Sequence, residues 1–98
     1  MAALRFEWDP IKAASNRRKH GVSFEEARTV FEDAGGLIIP HPDHSADEAR
    51  FIAVGLSAAL KALVVMHCER EQGDVIRIIS ARTADRGARA SYAAHRSR

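Results

Sequence analysis

The chain has 98 residues, 46% of them hydrophobic and 29% charged, with a formal net charge of +2. That length and balance predict one soluble globular domain spanning residues 1–98. One cysteine, Cys68, excludes an intramolecular disulfide, no apolar run is long enough to span a bilayer, and MAALRFEWD lacks a signal-peptide pattern, so a cytoplasmic protein is expected.

RFEW, residues 5–8, alternates polar and apolar side chains and reads as a short strand. Asp9-Pro10 is a helix start: Asp9 can cap free N–H groups, and Pro10 needs none at the first helical position. The helix is expected to run to about Lys19 and stop at Gly21. Lys12, Asn16, Lys19 and His20 share one of its faces. Ser23-Phe24-Glu25-Glu26 is a capping box, with Ser23 capping and Glu26 reaching back. Phe24, Ala27, Val30 and Phe31 then form an apolar helical stripe ending near Asp33.

LIIP, residues 37–40, is a short strand closed by Pro40, and HPDHSADEA, residues 41–49, is a polar loop. Strands follow at about 50–56, 61–69 and 74–80, joined by hairpin-sized gaps, so an antiparallel meander is expected. A helix begins near Ala84, with Thr83 as its expected cap. The order gives an α+β domain: an antiparallel sheet of about four strands, two N-terminal helices and a C-terminal helix.

Charge is unevenly placed. Residues 1–20 hold five Lys/Arg against two acids, residues 77–98 hold six Arg against Asp85, and residues 21–76 hold four Lys/Arg against ten acids. If the fold joins the two basic ends, they make one cationic surface suited to phosphates. Arg-rich ends that serve solubility are the competing reading, and composition alone leaves both open. His41, Asp43, His44 and Asp47, with His67 and Cys68, put imidazole, carboxylate and thiol groups within reach of a metal. Their spacing matches no zinc pattern, so no metal and no cofactor is expected.

Four blocks of the chain resemble the BrnT family of toxin–antitoxin toxins: FEWDPIKAASNRRKHGVSFEEARTVF, then ARFIAVGLS, then LVVMHCER and IRIISARTA. The resemblance covers roughly residues 5–92, and the first block is its specific part. It implies a RelE-like fold, a ribonuclease activity, and a cognate ribbon-helix-helix antitoxin in a hetero-oligomer that binds operator DNA through the antitoxin. The chain departs from the family pattern in its last helix. Gly87 and Ala88 stand where charged residues, including an acidic one before the tyrosine matching Tyr92, are usual. That departure keeps a second reading open, an inactive homologue acting as antitoxin partner and co-repressor. A third, a generic nucleic-acid-binding module, rests on the basic ends alone.

Metal-free RNA cleavage uses the 2′-hydroxyl as an internal nucleophile and needs a proton acceptor, a proton donor and cations around the phosphorus. Arginine can hold two phosphate oxygens at once, and histidine transfers protons near neutrality. The expected catalytic set is Lys19, His20, Arg50, Arg77 and Arg82, and the expected RNA contacts are Lys12, Arg18, Arg86, Arg89 and Tyr92. Each has a structural alternative. His20 can bond the last helix carbonyls, Arg50 can pair with Asp47 or Glu48, and Tyr92 can pack the last helix on the sheet. Asn16 is read as an anchor of the helix joint, Trp8 and Phe6 as core or antitoxin contact, and Cys68 as a buried strand residue. Arg77 and Arg82, five apart, face opposite sides of a regular strand. They can serve one site only if the strand ends or bulges between them.

Overall fold

A computed structural model describes residues 4–41 and 49–97. The elements run β1 (Arg5–Glu7), α1 (Pro10–His20), α2 (Phe24–Thr29), a 3-10 turn (Val30–Glu32), β2 (Leu37–Pro40) and β3 (Arg50–Leu56). Then come β4 (Ala62–Arg70), a second 3-10 turn (Glu71–Gly73), β5 (Val75–Thr83) and α3 (Arg86–Arg96).

The helix signals act where the sequence puts them. The Asp9 carboxylate accepts from the Ile11 N–H at 2.8 Å, and Pro10 opens α1. Gly21 closes it at φ 70°, a left-handed conformation in which a Cβ is strained. Ser23 Oγ accepts from the Glu26 N–H at 3.0 Å. Glu26 does not complete the box: its carboxylate accepts from Ser57 Oγ at 2.7 Å instead. The expected second helix is also shorter, because α2 tightens into the 3-10 turn before Asp33. Asp85, not Thr83, caps α3, accepting from the Ala88 N–H at 2.8 Å.

The sheet has five strands in the order β1-β5-β4-β3-β2 and is mixed rather than antiparallel. β2 to β5 form the expected meander, but β1 adds to the β5 edge in parallel, with Arg5, Phe6 and Glu7 opposite Val75, Ile76 and Arg77. Three residues at one end of the chain carry no record of a partner 70 positions away, and alternation alone does not give strand direction.

Two cores lie on the two faces of the sheet. On the first face, Phe24, Ala27 and Val30 pack on Ala53, Leu63, Val65, Ile76, Ile78 and Ala81, with Phe6, Trp8 and Phe31 at the margin. Burying such side chains is worth roughly 1.5–3 kcal/mol each and holds the thinly apolar α1 and α2 in place. On the second face, Tyr92 of α3 and Ala84, which precedes that helix, pack with Val54 and Val64. The helix covers only part of that face.

Candidate active site

β5 carries the decisive irregularity. Met66 pairs with Ser80, but the next residue, His67, pairs with Ile78, so Ile79 is an extra residue bulged out of the ladder. The bulge resets the alternation. Arg77 stands opposite Cys68 and Arg82 opposite Val64, positions four apart on β4 and therefore on one face. Arg50 stands opposite Cys68 from the other side. Arg50, Arg77 and Arg82 thus share the second face, the one on which α3 packs.

Two of these arginines have carboxylate neighbours. Arg77 Nη1 donates to Glu7 Oε2 at 2.9 Å, and Arg82 Nη1 lies 3.6 Å from Asp85 Oδ2. Arg50 differs. Its Nε is buried and has no hydrogen-bond partner among the described residues. A buried, unpaired guanidinium N–H carries a desolvation cost that an incoming anion would remove. Asp47 and Glu48, its expected partners, lie outside the described residues, as do Asp43 and His44 of the polar loop; His41 is described.

Lys12, Lys19 and His20 belong to a neighbouring feature. With Ser15 and Asn16 of α1, and Ile79 and Ser80 of β5, they line a groove of about 200 Å³. Asn16 sets this junction. Its side-chain N–H groups donate to the Ala81 and Val22 carbonyls at 2.8 and 3.0 Å, and its oxygen accepts from the Ala81 N–H at 3.1 Å. It stands in for a strand partner on the β5 edge where β1 has ended. Ser80 joins the groove to the arginine face: it lies in the same file as Arg77 and Arg82 and also lines the groove. Arg18 is exposed on α1 but is not among the groove residues, and Arg86 and Arg89 are exposed on α3.

Tyr92 is set differently from the other expected RNA contacts. It is buried, and its hydroxyl donates to Asp33 Oδ2 at 2.6 Å. Asp33 also accepts from the Leu56 and Gly35 N–H groups at 2.8 and 2.9 Å, linking α2, β3 and α3. Burial pushes the Asp33 carboxyl up, but these N–H donors, the Tyr92 hydroxyl and the Arg96 charge together hold it below its usual range. The Tyr92 hydroxyl is raised by burial and by the Asp33 charge. This is the packing role weighed for Tyr92 in the sequence.

Sequence reasoning overlooked Asp33 and the cleft of about 420 Å³ lined by Arg5, Phe6, Glu7, Arg70, Glu71 and Val75. Arg5 and Glu71 form an ion pair at its rim. Alternation in RFEW places Glu7 opposite in phase to Phe6 and Trp8. Only the parallel register with β5 brings it to Arg77.

Residues 8–87 match the profile of a family described as the ribonuclease toxin BrnT of type II toxin–antitoxin systems. The chain belongs to the BrnT family of ribonuclease toxins. The crystal structure of the Brucella abortus ribonuclease toxin BrnT superposes with a TM-score of 0.64 at 22% identity, covering 86% of this chain and all of that one. The shared BrnT architecture is thus a small α+β domain of three helices and a five-stranded mixed sheet. No curated relative matches the chain. Among the described residues no helix is long and apolar enough to cross a membrane. A type II toxin implies an antitoxin partner and an RNA target.

Proposed function

We propose that this single-domain BrnT toxin cleaves RNA in the cytoplasm without a metal, through the 2′-hydroxyl, on the arginine-bearing face of its sheet. The observation that carries this reading is the β5 bulge, which brings Arg77 and Arg82 onto the one face that also carries Arg50. Fixed guanidinium groups supply the positive charge that a pentacoordinate phosphorus needs, a contribution of several kcal/mol in a prepared site. Lys12, Lys19 and His20 grip the backbone next to the scissile bond, and Arg18, Arg86 and Arg89 extend the cationic track. Tyr92 is not carried into this proposal, because its ring packs α3 on the sheet.

An antitoxin of ribbon-helix-helix type, acidic where it meets this face, would compete with RNA for the same cations and carry the hetero-oligomer to operator DNA. The co-repressor reading drew on Gly87 and Ala88. α3 nevertheless forms an eleven-residue helix, capped by Asp85 and anchored by Tyr92, which favours the enzyme.

The test is a gel of naked RNA incubated with antitoxin-free protein in EDTA. Cleavage of RNA but not of the all-deoxy strand is expected, with losses of about a hundredfold or more in Arg50→Ala and Arg77→Ala. Intact RNA beside protein shown to be folded, or equal cleavage by all three proteins, overturns the reading.

A further inference from the structure

We propose that Glu7 is the proton acceptor for the RNA 2′-hydroxyl, an inference that rests on the metal-free reading above. Glu7 stands opposite Arg77 in the β1–β5 pairing, so it shares the face that carries Arg50, Arg77 and Arg82. Arg77 Nη1 at 2.9 Å and Arg70 Nη1 at 3.4 Å converge on the same oxygen, Oε2. Oε1 has no bonded partner among the described residues, and the side chain, 40% exposed, lines the 420 Å³ cleft.

That arrangement is more than an ordinary surface ion pair. A carboxylate placed among phosphate-gripping arginines weakens anion binding, since like charges repel. Two cations that fix one oxygen leave the other aimed and open, the condition a positioned base requires. Arg77 therefore orients the base and offers its other N–H groups to the oxygens of a phosphate beside the carboxylate.

The step balances without a further reactant. Glu7 Oε1 takes the 2′-O–H proton as that oxygen forms a bond to phosphorus. The bond from phosphorus to the 5′-oxygen breaks, and its electron pair leaves with that oxygen. Water protonates the 5′-oxygen, and Glu7 returns its proton to the hydroxide left behind. The products are a 2′,3′-cyclic phosphate end and a 5′-hydroxyl end.

The experiment measures kcat and KM from pH 5 to 9, in EDTA, for wild type, Glu7→Gln and Glu7→Asp on an RNA oligonucleotide. Affinity is read separately on the 2′-O-methyl strand, and folding by thermal melting. In Glu7→Gln, kcat should fall at least about a hundredfold with affinity held or improved. Its log kcat should rise with pH at a slope near one, because hydroxide must now take the proton. Glu7→Asp should keep cleavage at reduced kcat with the wild-type pH profile, and this holds as the test even if Glu7→Gln melts early. A Glu7→Gln enzyme that keeps the wild-type pH profile, or loses less than about tenfold, makes Glu7 a counter-ion and overturns the proposal while the nuclease reading stands. Absence of cleavage by wild type overturns both.

Discussion

The His67 imidazole lies fully inside the first-face core, stacked on Phe51 at 5.7 Å between ring centres and met by the edge of Phe31 at 4.9 Å. Neither ring nitrogen has a hydrogen-bond partner among the described residues, and the Glu69 carboxylate is 3.8 Å away. Burial disfavours the charged ring and pushes its pKa down to about 4; the Val65 backbone acts in the opposite sense but is not in hydrogen-bond geometry. The unfolded chain, with an ordinary imidazole near 6.5, therefore binds the proton first as pH falls. Stability from this group is full above pH 6.5 and is lost progressively between about 6.5 and 4, a change of about 3 kcal/mol. His67→Leu removes the titration, so its urea-unfolding free energy should fall less than that of wild type over this window. Equal slopes for the two proteins would place the ring outside the core. The sequence offered His67 only as a distant metal donor, since a histidine in a Val-rich strand does not announce which face it takes.

At the scale of elements, the parts controlled by neighbouring residues were legible. Asp9-Pro10 and Gly21 bound α1, Ser23 opens α2, and the β3 limits are those expected from the apolar run. The parts controlled by distant pairing were not. The Ile79 bulge depends on how β4 and β5 settle into register, and the sequence could say only that Arg77 and Arg82 need some such break to share a site. Glu7 has the same limit. Gly87 illustrates a local signal with a calculable effect. It sits in the first turn of α3, exposed, and a Cβ there would meet Asp85 Oδ1 at 3.6 Å, an ordinary contact. Gly87→Ala should therefore stabilise the domain by up to about 1 kcal/mol, raising Tm by roughly 4–8 °C. A calorimetric scan checks this, and a lower Tm would mean that α3 needs the glycine backbone at that turn.

For the whole molecule, the uneven charge acquires a spatial meaning. The basic first segment folds into β1 and α1, and both lie along β5, where the basic last segment begins. The pairing of Arg77 with Glu7 and of Arg82 with Asp85 tempers that surface, while Arg50 has no carboxylate partner among the described residues. A cation already paired inside the protein releases less counter-ion when RNA arrives than one that is not. Affinity for single-stranded RNA should fall linearly with the logarithm of salt, by about 0.7 in slope for each phosphate neutralised. Arg50→Ala should flatten that slope by about 0.7, and Arg82→Ala by less, because Arg82 keeps part of its charge on Asp85. Fluorescence anisotropy on a 2′-O-methyl strand from 50 to 300 mM salt reads both slopes without cleavage. A slope unchanged in Arg50→Ala would move the RNA off the sheet face and onto the α1 groove, where Lys12 and Lys19 would then carry the salt dependence.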